Sequence, residues 1–150
     1  MNRLYGLIGF PLGHSFSARY FTEKFQRENL SGYEYRNFPL ESIRELPAML
    51  ENHPGLLGFN VTIPYKQEVI PSLTALSAEA REIGAVNCVK ITPQGLYGHN
   101  TDAYGFRKSL LGLIGPMRPD ALILGTGGAS KAVGYVLREL GIAYTTVSRS

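Results

Sequence analysis

The chain has 150 residues, enough for one ordinary domain or for one domain and part of another, and its 44% apolar and 18% charged content is that of a globular protein. Its net charge of +3 comes without a Lys/Arg stripe interleaved with aromatics, which argues against nucleic acid and suits small anions, and a single cysteine, Cys88, can neither staple a domain nor build a metal site. No run approaches a membrane span, and the short apolar stretch from Leu4 to Phe10, stopped by Pro11, is no signal peptide, so a reducing, soluble, cytoplasmic setting is expected.

In chain order, Leu4 to Gly9 is a short apolar run ended by Pro11 and Gly13, a first strand. Gly13-His14-Ser15-Phe16-Ser17 closes that strand and starts a helix in which Phe21 and Phe25 recur at helical spacing, running through Asn29. Residues 33–38 alternate as a second strand. Residues 40–50 read as a second helix, with Ile43, Leu46 and Leu50 on one face; Pro47 marks a break or an early-turn position. Residues 56–63 form a third strand that Pro64 stops, and Pro64 can itself open a helical turn. Residues 77–83 read as a helix ended by Gly84. Residues 86–91 and 96–98 read as a strand pair around a Pro-Gln-Gly turn, with Cys88 as a buried strand residue. A connecting helix follows over 104–113, and Gly115, Pro116 and Pro119 then break the chain. A new unit starts with a strand over 121–124, a glycine turn, a helix over 130–140 stopped by Gly141, and a strand over 143–147.

The pattern is α/β: an N-terminal, mostly parallel α/β sheet domain over 1–103, then a connecting helix and one βαβ unit over 104–150. One βαβ unit covers little core, so this second unit reads as truncated.

The glycine turn is Gly125-Thr126-Gly127-Gly128-Ala129-Ser130, after an apolar strand and before a helix. That context is the start of a Rossmann fold: the first glycine permits a tight turn, the second lets backbone approach a pyrophosphate, and the helix N-terminus offers free N–H groups to it. A phosphate loop of the Gly-Lys-Ser/Thr kind does not fit, because Lys131 lies between Ser130 and Ala132. The next strand ends in Ser148-Arg149-Ser150. NAD-binding units usually carry a carboxylate there for the ribose 2′-hydroxyl, whereas an arginine flanked by hydroxyls suits a 2′-phosphate. NADP is therefore the expected cofactor, held by Gly125, Thr126, Gly127, Gly128, Ala129, Ser148, Arg149 and Ser150.

Two segments of the first unit carry chemistry. Asn60 and Thr62 share one face of the third strand, and the chain then delivers Lys66 to that strand's C-terminal end, where open α/β sheets bind ligands. If Pro64 opens a helical turn, Lys66 lies near a positive dipole end that disfavours the ammonium, the poise a lysine in proton transfer needs. Gly98-His99-Asn100-Thr101-Asp102 places a carboxylate between a strand and a helix. The plainer reading makes Thr101 or Asp102 a helix cap. The functional reading pairs Asp102 with Lys66. Ser15 and Ser17 at a helix N-terminus suit either capping or a carboxylate, and Asn87 inside an apolar strand must find a partner.

Together, Gly-His-Ser-Phe-Ser at 13–17, Asn-Val-Thr-Ile-Pro-Tyr-Lys at 60–66, Gly-Ala-Val-Asn at 84–87, Gly-His-Asn-Thr-Asp at 98–102 and Gly-Thr-Gly-Gly-Ala-Ser at 125–130 resemble the shikimate dehydrogenase family. The resemblance implies NADPH-dependent, reversible reduction of 3-dehydroshikimate to shikimate on the way to chorismate and the aromatic amino acids. It implies that Ser15 and Ser17 hold the substrate carboxylate, that Asn60, Thr62, Lys66, Asn87 and Asp102 bind the substrate, with the last four at its ring hydroxyls, and that Lys66 and Asp102 are the catalytic pair. It implies no metal, no nucleic-acid or membrane partner, and leaves room for a homodimer. Family chains often have Ser-Leu-Ser-Pro where this one has Ser15-Phe16-Ser17-Ala18, Asn-Arg-Thr where it has Ser148-Arg149-Ser150, and an acidic residue at Ala78. They are also longer, with further Rossmann strands, a tyrosine and a glutamine at the substrate, and a C-terminal helix that packs back on the first domain. Two alternatives stay open: a quinate/shikimate dehydrogenase using NAD, and a fragment that binds shikimate-like acids but cannot use a cofactor.

Overall fold

A computed structural model of the chain describes residues 3–148. Arg149 and Ser150, both expected at the cofactor, lie outside the described residues. The elements are β1 (Arg3–Gly9), α1 (Ser17–Arg27), β2 (Tyr33–Pro39), α2 (Leu46–Asn52), β3 (Leu56–Val61), β4 (Ala75–Leu76), α3 (Ala78–Ile83), β5 (Cys88–Thr92), β6 (Gly95–His99), α4 (Asp102–Ile114), β7 (Ala121–Leu124), α5 (Gly128–Glu139) and β8 (Tyr144–Val147).

Six strands form one sheet in the order β2-β1-β3-β5-β6-β4, and β7 and β8 pair in parallel as a second sheet. In the first sheet β1 runs parallel to both β2 and β3, and β4 parallel to β6, while β5 is antiparallel to β3 and to β6. The expected α/β class with a mostly parallel sheet is therefore what forms. The β5–β6 hairpin turns at Pro93-Gln94-Gly95 as its sequence indicated.

One face of the large sheet is closed by Ile8, Phe38, Leu46, Leu56, Val61, Val69 and Val89, all buried. The other face carries α1, whose Phe21 and Phe25 pack over Leu7, Leu12 and Tyr35. The second unit does not stand apart. Ile83, Ala85 and Ala103 from the first part of the chain share one buried cluster with Ala132, Tyr135 and Val136 of α5. Helix α4 begins at Asp102 and runs without interruption past residue 103.

Several boundaries differ from expectation. Helix α1 ends at Arg27, because Asn29 adopts a left-handed φ of 54°. The second helix starts later than its periodicity suggests: a 3-10 turn over Ile43–Glu45 is fastened by a capping box between Ser42 and Glu45, and Pro47 falls in the first turn of α2, where it costs no hydrogen bond. No helix opens at Pro64; a single helical-type turn follows it, with the Val69 N–H donating to the Tyr65 carbonyl at 2.9 Å. Residues 63–69 make successive turns, because Tyr65 and Val69 are drawn into the core and the Tyr65 hydroxyl donates to the Leu40 carbonyl at 2.6 Å. The two-residue strand β4 carried no periodic signal, and β5 begins at Cys88, so Asn87 precedes the strand rather than lying within it. Helix α5 starts at Gly128, two residues before the expected point.

Candidate active site

Strand direction brings the candidate residues to one edge of the sheet. β1 and β3 are parallel, with Ile8 opposite Val61, so the loops carrying Ser15 and Thr62 leave from the same end. β5 is antiparallel to β3 and pairs Cys88 with Asn60, which sets its first residues, and hence Asn87, at that end too. β6 pairs His99 with Cys88 and delivers Asn100, Thr101 and Asp102 there. Four segments far apart in sequence thus converge on the carboxyl end of the parallel strands, where ligands of open sheets bind.

At the centre, the Lys66 ammonium Nζ donates to Asp102 Oδ2 at 2.7 Å. The other carboxylate oxygen accepts from Asn87 Nδ2 at 2.8 Å. Asn87, 9% exposed, is further fixed by the Thr101 backbone N–H donating to its Oδ1 at 2.8 Å. The buried asparagine that needed a partner therefore has three: the Asp102 carboxylate, the Thr101 backbone N–H and the Thr101 hydroxyl, 2.9 Å from its Nδ2. The Lys66 side chain is 17% exposed and that of Asp102 34%, so the pair is partly open to solvent and not in the core.

The helix-cap reading of Thr101 and Asp102 does not hold. Asp102 is the first residue of α4, and neither side chain caps it. Asn100 takes that role, its Oδ1 accepting from the Ala103 N–H at 3.2 Å while its Nδ2 donates to the Ala85 carbonyl at 3.0 Å. Asn100 is 3% exposed and was missed as a supporting residue; the signal was an amide directly after a strand within Gly98-His99-Asn100-Thr101-Asp102. The helix end near Lys66 is also a different one from that expected. No helix begins at Pro64, and the helix that abuts the lysine stem is α5, far later in the chain.

Asn60 has its amide largely committed. Its Oδ1 accepts from the Tyr35 hydroxyl at 2.8 Å and its Nδ2 donates to the Asn87 carbonyl at 3.2 Å, leaving one amide proton for another partner. Tyr35, the second residue that sequence reading missed, lies under α1; burial pushes its phenol well above the ordinary tyrosine range, with the Cys88 thiol acting the same way and a hydrogen bond with Ser17 opposing. Cys88 is half-buried in β5 and not the buried strand residue expected, and what burial it has pushes its thiol up.

Ser15, Ser17 and Thr62 line a neighbouring cleft of about 440 Å³ with His14, Phe16 and Ile63. The residue at the N-cap position of α1, Phe16, makes no side-chain cap, but Ser15 Oγ accepts from the N–H of Ser17, the first residue of the helix, at 3.3 Å. The first turn of an eleven-residue helix therefore faces this cleft with two hydroxyls beside it, an arrangement suited to a carboxylate.

The glycine turn links β7 to α5. Gly125 takes a φ of +112°, open to glycine at little cost, and a Cβ added at Gly127 would meet nothing within 4 Å. Gly125, Thr126, Ser130, Lys131 and Thr146 line a cleft of about 370 Å³ along the first turns of α5, with Glu82, Ile83, Arg138 and Tyr144 also in its wall. An anionic cofactor fits there, with free N–H groups, hydroxyls and a lysine to meet its phosphates. Ala129 follows in the first turn of α5, and Ser148 comes directly after β8. Among the described residues, no three His, Cys, Asp or Glu side chains gather as a metal site would need, and no helix is long and apolar enough to cross a membrane.

The family model described as shikimate dehydrogenase substrate binding domain matches residues 7–89. The chain is similar to the shikimate dehydrogenase (NADP(+)) of Aquifex aeolicus, with 42% identity over 142 residues, covering 93% of this chain and 52% of that protein. It is 39% identical over 156 residues to the one from Carboxydothermus hydrogenoformans, covering 99% of this chain and 55% of that protein. The chain thus spans about half the length of the curated relatives it matches. Among solved structures, the shikimate dehydrogenase of Aquifex aeolicus superposes with a TM-score of 0.88 at 40% identity, covering 99% of this chain and 56% of that one. The shikimate 5-dehydrogenase of Thermus thermophilus, solved in complex with NADP(H) and shikimate, gives 0.86 at 34% identity, covering 100% of this chain and 57% of that one.

Proposed function

This chain belongs to the shikimate dehydrogenase substrate binding domain family, and from that premise we propose that it forms the shikimate-binding and catalytic part of an NADP-dependent shikimate dehydrogenase. The observation that carries the reading is the Lys66–Asp102 pair, joined at 2.7 Å and braced by Asn87 at the strand ends. In this reading the division falls near residue 103, with a substrate unit over 1–103 and a cofactor unit over 104–150.

Ser15 and Ser17 hold the substrate carboxylate at the first turn of α1, and Thr62, Asn87 and Asp102 take the ring hydroxyls, with the free amide proton of Asn60 also within this set. NADP(H), when bound along Gly125–Ala129 and the end of β8, supplies or accepts the hydride. In the reducing direction Lys66, hydrogen-bonded to Asp102, gives a proton to the ketone oxygen; in the oxidising direction its amine takes the hydroxyl proton back. Asp102 accepts a hydrogen bond from the same hydroxyl and aims Lys66. Arg149 and its flanking serines meet the 2′-phosphate in this reading. The relatives named for NADP(+), and the one solved with NADP(H) and shikimate, support it. A reducing, cytoplasmic setting fits the free thiol of Cys88, and a homodimer remains part of the proposal.

General acid–base catalysis contributes about 10²–10⁴-fold. In an enzyme carrying this segment with a complete cofactor domain, Lys66→Ala should lower turnover by roughly that factor with a smaller effect on shikimate affinity. Asp102→Asn should damage both. Steady-state kinetics decide it: a Lys66→Ala enzyme with intact turnover and only a raised Michaelis constant moves the proton transfer to another group.

A further inference from the structure

The glycine turn contains two adjacent glycines, and their surroundings differ. A Cβ on Gly127 would meet open space, which fits a backbone left clear for a phosphate. A Cβ on Gly128 would lie 2.8 Å from Lys66 Cβ and 3.2 Å from Lys66 Cδ, with Ala85 Cβ next at 3.5 Å. The first of these is closer than real Cβ atoms approach one another. The clashing atom is the root of the lysine side chain and not its flexible tip, so the lysine could not swing aside without moving its backbone.

That backbone is already tied. The Lys66 carbonyl accepts from the Val86 N–H at 2.7 Å. Small residues let α5 come this close: Ala132, one turn along α5 from Gly128, is buried with Ala85 and Ala103 in the cluster shared by the two parts of the chain. Lys66 is therefore held at three points: its backbone by Val86, its stem by the bare backbone of Gly128, and its ammonium by Asp102. A free lysine stem has many rotamers and loses them only when packed.

We propose that Gly128 is a positioning residue for Lys66: its missing side chain seats the first turn of α5 against the lysine stem and holds the ammonium on Asp102, so that one contact sets the cofactor turn and the reacting lysine in register. The functional half of this proposal rests on the reading of Lys66 as the proton-transfer group. The contact itself does not.

The test uses the 150-residue chain and separates the two. Urea unfolding of Gly128→Ala, Lys66→Gly and the double variant forms a double-mutant cycle. Gly128→Ala should lower the midpoint in the native background and much less in the Lys66→Gly background, where nothing remains closer than Ala85. If Gly128→Ala alone fails to fold, a folded double variant supports the contact, and an unfolded one overturns it. Equal losses in both backgrounds also overturn it. The second readout is the ¹⁵N signal of the Lys66 ammonium, assigned by its disappearance in Lys66→Ala. Gly128→Ala should shift it in the same direction as Asp102→Asn does, which a contact that merely stabilises the fold would not do; an unmoved signal refutes the positioning role. Shikimate titration is the third readout. Gly128→Ala should weaken binding about tenfold, the scale of losing one charged hydrogen bond, and native affinity in that variant counts against the positioning role. A native chain that fails to bind shikimate at all sinks the functional reading, while the cycle and the ammonium signal still judge the contact.

Discussion

Tyr35 shows how a residue outside the proposed reacting pair can govern it. Its hydroxyl donates to Asn60, Asn60 donates to the Asn87 carbonyl, and the Asn87 side chain holds Asp102. An Asn60 amide turned the other way would set its carbonyl oxygen against that of Asn87, so the network has one orientation. Burial raises the Tyr35 phenol above its unfolded value of about 10. A group raised in the folded state contributes stability that is complete below the unfolded value and lost as pH climbs past it. Urea midpoints should therefore stay level as pH rises toward about 10 and fall above it. The fall should be shallower in Tyr35→Phe, and an unchanged slope in that variant would assign the alkaline transition to other groups. The residue types of the site were readable one by one. Lys66, Asp102 and Asn87 were picked out of ordered motifs; Asn100 stands in the same motif as Asp102 and Tyr35 in none, and neither was given a role, because a hydrogen bond to a distant group leaves no periodic mark.

At the scale of elements, α4 decides where the carboxylate sits. Its start depends on Asn100, which bridges the Ala85 carbonyl and the Ala103 N–H from a buried position. Asn100→Ala leaves both backbone groups unpaired, at a cost of about 1–3 kcal/mol each where water cannot reach them. Urea unfolding should show a loss of about 2–6 kcal/mol for the two groups together, and shikimate titration should show weaker binding, since Asp102 is the first residue of the helix that Asn100 starts. A variant with native affinity would mean that the Asp102 carboxylate is placed by Asn87 and Lys66 alone. Helix α3 is simpler. Ser77 Oγ accepts from the Ala80 N–H at 3.1 Å and Gly84 closes the helix at a φ of +68°, both as local sequence rules indicate. Pro64 misled for a physical reason: proline tolerates a first helical turn, but the pull of Tyr65 and Val69 into the core set the path.

Over the whole molecule, stability is uneven. The six-stranded sheet is covered by α1 on one side and by a large apolar cluster on the other. The β7–β8 pair is covered on one side only, by α5 together with Phe106, Leu110 and Ile114 of α4, and Leu122, Leu124 and Val147 stay 62%, 76% and 48% exposed. Two paired strands with one face open are marginal by themselves. Amide hydrogen exchange should therefore release β7 and β8 well before β1, β3 and β5, in a separate, lower-energy opening. Equal protection across both sheets would mean that the cluster around Ala85, Ala103 and Val136 makes the molecule one cooperative unit.

Sequence alone determined what can be read locally. The alternation of strands and helices, the glycine turn between β7 and α5, the Pro-Gln-Gly hairpin, the Gly84 helix stop and the five ordered motifs all depend on side-chain periodicity, backbone freedom or short spacing. Tertiary structure decided what depends on distance. It set the antiparallel β5 between β3 and β6, which brings Asn87 beside Asp102, and it assigned the cap of α4 to Asn100. It also placed the start of α5 against the stem of Lys66, which lies far earlier in the chain. Those contacts join segments whose separation is unconstrained until the sheet order is fixed, and sheet order is set by the burial of whole faces rather than by any one residue.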